Sequence, residues 1–182
     1  MTLESTQTAR ALPPAAPSPD FAEAMSALAS GVVIVTSWID GRPWGLTVSA
    51  FASVSAEPPT VLVSLQSDTT SSRAIEQDGG FGISILGRHH RAAARHGSAA
   101  AAPKFLEPFA DRRRDAVNPS VAGALAHLDC QVTDELAVAD HTIFVARVGD
   151  VRIGSGEPLV YFRRSYRTLN PFTGRRTACH SS

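Results

Sequence analysis

GRPWGLTVSAFASVSAEPPTVLVSLQSDTTSS, residues 41–72, carries two apolar strand patterns on either side of Pro58-Pro59. The first runs over 43–50 and continues at 51–56; the second covers 60–65. Proline donates nothing to a sheet ladder, so 58–59 is a connection or an edge. Just upstream, 32–36 reads Val-Val-Ile-Val-Thr, β-branched and too short for a helix between such breakers. Asp40-Gly41 between these runs is a hairpin signal, because both residue types tolerate positive φ. A parallel arrangement needs a crossover of about a dozen residues between neighbouring strands. Segment 32–65 has no room for one. The strands here are antiparallel.

The same stretch is dense in hydroxyls: Thr47, Ser49, Ser53, Ser55, Ser64, Ser67 and 69–72. Many fall where a strand ends or a helix begins, positions that offer donors to a phosphate without a formal charge.

Working outward, residues 1–19 are rich in Ala, Pro, Ser and Thr, and Pro13, Pro14, Pro17 and Pro19 make them a disordered lead. Asp20 with Glu23 has the form of a capping box, followed at helical spacing by Phe21, Ala24, Met25 and Leu28. A helix is expected over 20–30, ended by Gly31. Thr69 or Thr70 caps a second helix that stops at Asp78-Gly79-Gly80, and 88–96 is helical in composition. Further strands are expected at 81–86, 122–132, 142–153 and 159–162, with 99–103 as loop and 171–182 as a loose tail. Short strands, few helices and hairpin punctuation indicate a mainly β chain: an antiparallel, closed or partly open barrel with short flanking helices. The domain is expected over 20–170.

At 182 residues the chain suits one core. Seventeen basic and seventeen acidic side chains balance, which removes any chain-wide electrostatic attraction to nucleic acid or to an anionic membrane. The Arg112-Arg113-Arg114 run lies between Asp111 and Asp115 and reads as a solvated loop. Cys130 sits in an apolar pattern and reads as a small buried residue, Cys179 as exposed; their separation suits no shared metal. No apolar run approaches the roughly 20 residues of a membrane span, and the N-terminus lacks the order of a signal peptide. A cytoplasmic protein is expected.

Several motifs fail on their own terms. His89-His90 and His96 share no helix face with a third ligand. Gly80-x-Gly82 and Gly154-x-Gly156 lack both the dinucleotide fingerprint and a phosphate-loop lysine. No Gly-x-Ser-x-Gly elbow exists.

An ordered set of motifs remains: Ala29-Ser30-Gly31-Val32-Val33, Asp40-Gly41-x-Pro43-x-Gly45-x-Thr47-x-Ser49, Pro58-Pro59, Asp140-His141 and Leu159-Val160-Tyr161-Phe162. Over about 20–170 this order resembles the flavin reductase family, the small NAD(P)H-dependent reductases that feed two-component flavin monooxygenases. The resemblance implies a Greek-key split barrel, usually a homodimer, that binds FMN or FAD. It lays Pro43, Trp44, Gly45, Leu46, Thr47, Ser49 and Ala50 along the isoalloxazine, with Gly45 letting backbone approach a flat ring. It assigns the ribityl chain and phosphate to Ser64, Leu65 and Gln66, with Thr70 and Ser71 opening the next helix, and brings Arg95 and His96 to the same phosphate. Lys104-Phe105 matches a pair that follows this loop, with no definite role. His141 falls near the nicotinamide, and Tyr166 matches an aromatic near the dinucleotide. The chain departs from the family at Ala50, which stands where a second serine is frequent, and at Ala139, where glycine usually precedes Asp140. Strand alternation points Asp140 and His141 to opposite faces, so His141 is expected to position the pyridine nucleotide rather than to work in a dyad.

The reaction implied is hydride transfer from NADH or NADPH to FMN or FAD, the reduced flavin diffusing to a monooxygenase partner. The protein holds two rings in contact, and no acid–base pair is required. Two readings stand beside it: a flavin-binding sensor or carrier without turnover, and an FMN-dependent oxidase of a small substrate. No determinant separates NADH from NADPH or FMN from FAD.

Overall fold

Asp40 and Gly41 take left-handed backbone, φ 51° and 69°, and turn the chain back on itself between two strands. The computed structural model describes residues 18–111 and 116–169. In chain order the elements are α1 (Ser18–Ser26), β1 (Ser30–Gly31), β2 (Val33–Ile39), β3 (Arg42–Val48), β4 (Phe51–Ala56), β5 (Pro59–Gln66), α2 (Thr70–Asp78) and β6 (Gly80–Ile85). A 3₁₀ turn (Arg88–His90) leads into α3 (Arg91–Ser98), followed by β7 (Ala126–Val138), β8 (His141–Ile153), β9 (Leu159–Phe162) and β10 (Ser165–Thr168).

Seven strands form one antiparallel sheet in the order β3-β2-β6-β7-β8-β5-β4. Its two ends, β3 and β4, are consecutive in the chain, so the sheet curls into a barrel left split between them; Ser64 N–H donates to Ala50 C=O at 3.0 Å near that seam. The expected antiparallel split barrel is the fold observed. Val33, Val35, Val63, Leu65, Phe81, Ile83 and Phe144 fill its interior. Alternate residues of the 32–35 run point the other way, where Val32 and Ile34 meet Ala93, Ala94, Leu106 and Leu159 in a second apolar cluster. Both faces are covered, which is why this run is apolar without alternation.

Local chemistry sets the boundaries. Thr69 caps α2, its Oγ1 accepting the Ser72 N–H at 3.1 Å, and Gly79 closes the helix at φ 67°. Cys130 is buried, and desolvation pushes its thiol up to about 12.

Several expectations shift. Helix α1 starts at Ser18 and ends at Ser26, so Ser18 and Pro19 belong to it, Asp20 lies inside its first turn, and Gly31 belongs to β1 instead of ending the helix. Residues 122–125 are turn, and β7 runs on to Val138. Strands β1 and β10, which flank β9 in a three-stranded sheet, were not anticipated. The lead over 1–17, the Arg112–Arg114 run, Cys179 and the tail over 171–182 lie outside the described residues. The apolar side chains of α1 and of the segment after it stay uncovered in the protomer: Phe21, Met25 and Leu28 are 60%, 49% and 62% exposed.

Two buried histidines tie the loops to the barrel. His90 accepts the Gly87 N–H at 2.9 Å through Nδ1 and donates from Nε2 to the Ala122 carbonyl at 2.9 Å. His127 lies between Ser84 Oγ (3.2 Å) and Asp129 Oδ1 (3.4 Å). Burial lowers both pKa values, outweighing the backbone bond at His90 and the Asp129 charge at His127. The fold therefore holds both imidazoles neutral where the unfolded chain would protonate them. Their contribution is intact above the unfolded value of about 6.5 and is lost as pH falls from there toward the folded values. The melting temperature is expected to be level from about pH 8 to 7 and to fall steadily below about 6.5. A level profile down to about pH 5 would contradict this assignment.

Candidate functional site

Three segments converge where the barrel splits: the end of β3 with residues 49–50, the outward face of α3, and the β9–β10 hairpin. Helix α3 packs on β3 at close range. Thr47 Oγ1 donates to the Ala94 carbonyl at 2.9 Å, and a Cβ on Gly97 would overlap that same Oγ1. The apolar face of α3 goes inward as Ala93, Ala94 and Gly97, which leaves Arg91, Arg95 and Ser98 in line on the exposed face.

Between that face and the hairpin lies a cleft of about 420 Å³, lined by Thr47, Ser49, Arg91, Arg95, Ser98, Tyr161, Arg164, Ser165 and Tyr166 with Val32 and Val48 beneath. A second cavity of about 550 Å³ opens on the other side of the seam, lined by residues 28–31, Ser49, Ala50, Phe51, Ala52, Leu62 and Ser64, with Val33 and Ile85 below. Ser49 lines both. One space is cationic and aromatic, the other mainly apolar with a few hydroxyls, and together they suit a ligand with a flat apolar head and an anionic tail.

The expected residues divide accordingly. Thr47, Ser49, Arg95 and Tyr166 share the first cleft; Ser49, Ala50 and Ser64 share the second. Pro43, Trp44, Gly45, Leu46, Leu65, Gln66, Thr70, Ser71, His96 and His141 line neither.

For several of these the reason is internal bonding. The Trp44 indole N–H donates to Ser71 Oγ at 3.1 Å with both residues buried, and Trp44 meets Phe105 edge-on, so Ser71 holds a tryptophan. Gly45 is small because Leu106 and Ile34 pack against it. Leu65 is 1% exposed in the barrel core, and Leu46 packs against that core. The Pro43 carbonyl accepts the Leu106 N–H at 2.7 Å. His96 bonds the Phe105 carbonyl through Nε2 at 2.8 Å and lies on Phe109. Thr70 is exposed at the start of α2.

His141 faces Gln66 across β5–β8 at the tip of the long β7–β8 ribbon. Asp140 and His141 do pair: His141 Nδ1 donates to Asp140 Oδ1 at 2.7 Å. Residues 139–140 form a two-residue turn with Ala139 at φ 53°, so strand alternation does not govern Asp140. The hydrogen bond from His141 holds the Asp140 carboxyl below its usual range.

Sequence reasoning missed Arg91, Tyr161, Arg164 and Ser165 as lining residues. Arg91, Arg95 and Ser98 sit at i, i+4 and i+7, a single helix stripe that was available to find.

A split antiparallel barrel with an aromatic, arginine-rich cleft beside a mainly apolar cavity is the arrangement to set against known proteins. A family described as "Flavin reductase like domain" matches residues 25–170. The reductase component of 4-nitrophenol 4-monooxygenase/4-nitrocatechol 2-monooxygenase from Rhodococcus opacus is 37% identical over 153 residues, 84% of this chain and 82% of that protein. An NADH-dependent flavin reductase from a Rhodococcus species is 36% identical over 167 residues, 90% of this chain and 93% of that protein. Among solved structures, the Streptomyces globisporus C-1027 NADH:FAD oxidoreductase SgcE6 in complex with NAD and FAD fragments superposes with a TM-score of 0.78. It is 26% identical and covers 86% of this chain and 94% of its own. The chain belongs to the flavin reductase family.

Proposed function

We propose that this chain, an NAD(P)H:flavin oxidoreductase by family, binds its flavin across the double cleft that meets at Ser49 and supplies reduced flavin to a partner monooxygenase. The carrying observation is the shared serine: the two spaces that suit a flat ring and an anionic tail adjoin at one residue. The fit is chemical as well as spatial. Ser49, Ser64 and the 49–50 backbone offer donors and acceptors to a ring edge, while Arg95 with Arg91 supplies cations for a phosphate. Flavin accepts a hydride and the reduced nicotinamide supplies it; the protein's part is to hold both and to limit water around them. Anaerobic stopped-flow mixing with FMN and FAD against NADH and NADPH tests the reading. Bleaching of flavin absorbance in at least one pairing is expected, and no bleaching in any pairing would overturn it.

The homodimer belongs to the same reading. Leu136 and Val138 near the ribbon tip, Val151 and Ile153 near its other end, and Phe21, Met25 and Leu28 beside α1 are exposed apolar side chains in the protomer. A second copy covering them is the arrangement this supports. His141 lines neither cleft of its own protomer, and its assignment to the nicotinamide goes with the dimer. Asp140 holds Nδ1 and leaves Nε2 to face a ligand. His141→Ala is expected to raise the KM for NADH several-fold with kcat little changed, because binding common to ground and transition states is lost. A collapsed rate at unchanged KM would contradict the role. Among the described residues no helix is long and apolar enough to cross a membrane, and a cytoplasmic site of action is part of the proposal.

A further inference from the structure

The β9–β10 turn is made of two arginines. Arg163 and Arg164 have φ of 45° and 58°, the left-handed region that two-residue hairpins normally give to Asn-Gly or Gly-Gly. Arginine goes against that local preference at both positions, and backbone strain of this sort gathers at ligand clamps. The two side chains part company. Arg163 lies over the Phe162 ring at 5.5 Å, whereas Arg164 lines the cleft of about 420 Å³ together with Arg91 and Arg95.

The described lining of that cleft therefore carries three guanidinium groups from two opposite elements and no carboxylate. Arg164 has one ionic contact among the described residues, Glu23 at 3.8 Å, between side chains 66% and 75% exposed. Such an exposed, long pair holds little. The cleft also has an aromatic wall. The Tyr161 and Tyr166 rings stand 5.3 Å apart at 61°, with the Tyr166 hydroxyl 3.5 Å from Ser98 Oγ. Aromatic faces stack on nucleobases, and guanidiniums on both walls match an extended anion with several phosphate oxygens.

We infer that this cleft is a subsite for an adenosine diphosphate moiety, and that Arg164, held in its left-handed turn, is the residue that favours a diphosphate-bearing ligand over one ending in a single phosphate. The inference rests on the proposed double cleft, since FAD and NADH both carry that moiety. It adds the part of the ligand that the cleft selects.

Arg164→Gly is the informative variant. Glycine is at ease at this φ, so the variant is expected to melt at or above the wild-type temperature and a binding loss is not an unfolding effect. Calorimetric titration of the flavin-free protein with ADP is expected to show binding that weakens about tenfold or more in Arg164→Gly and again in Arg91→Gln. KM values then identify the source. A rise for FAD with FMN unchanged assigns the subsite to the flavin; a rise for NADH with reduced nicotinamide mononucleotide unchanged assigns it to the hydride donor. Absence of ADP binding to the wild type, equal ADP binding by Arg164→Gly, or equal losses for FMN and FAD would overturn the inference. If the wild type binds ADP through Arg164 yet reduces no flavin, the reductase reading fails and the subsite stands.

Discussion

Gly45→Val is expected to destabilise the flavin-free protein by about 1–3 kcal/mol or more, lowering its melting temperature by about 2–4 °C for each kcal/mol. A Cβ at this position would overlap Leu106 Cδ1 and come within 2.7 Å of Ile34 Cγ2, and both residues are fully buried. Neither neighbour has room to yield. Ile34 is on β2, whose other face fills the barrel. The segment that carries Leu106 is stitched to β3 at Pro43 and at Gly45: the Leu106 N–H donates to the Pro43 carbonyl at 2.7 Å, and the Gly45 N–H donates to the Lys104 carbonyl at 3.0 Å. The segment that covers Gly45 is thus a fixed part of the wall. A glycine kept to admit an isoalloxazine would behave differently, giving a variant of normal stability with a raised flavin KM. Thermal melting without ligand separates the two accounts, and a wild-type melting curve would defeat the packing one.

That contrast shows what the chain declares and what it conceals. Antiparallel pairing was legible because 32–65 offers strands, a hairpin signal and no length for a crossover. The apolar run at 32–35 also announced burial. Strand β7 beyond Val132 was concealed because Thr133, Asp134 and Glu135 belong to a ribbon exposed on both sides, where burial imposes no alternation. The turns at 139–140 and 163–164 were concealed because Ala139, Arg163 and Arg164 take left-handed backbone without the residues that advertise it. At the site, residue type was legible and allegiance was not. Ser49, Ser64 and Ser71 read alike as hydroxyls, yet Ser71 is bound to Trp44 in the interior while Ser49 lies between two cavities. Which hydroxyl remains open depends on what packs beside it, and spacing along the chain carries no record of that. The same limit applies to Arg95 and His96, neighbours in sequence with opposite fates: one lines the cleft, the other bonds a loop carbonyl.

Arg95→Gln is expected to raise the KM for flavin by about 10- to 100-fold while leaving kcat within about twofold. The range corresponds to one charge-assisted contact to a phosphate, lost equally from the bound substrate and the transition state, so the chemical step itself is spared. Stability is expected to hold, because two small effects oppose each other. Arg95 lies in the last turn of α3, where a cation is favoured, but one turn from Arg91, whose like charge disfavours it. The substitution also leaves the buried side of α3 untouched, since Ala93, Ala94 and Gly97 make the contacts with the barrel wall. Salt supplies a second readout. Attraction between an exposed guanidinium and a phosphate is screened as ionic strength rises, so the wild-type KM should climb with salt more steeply than that of the variant. A KM that stayed at the wild-type value, with the same salt dependence, would remove Arg95 from the flavin's tail and leave it a solvent-facing helix residue.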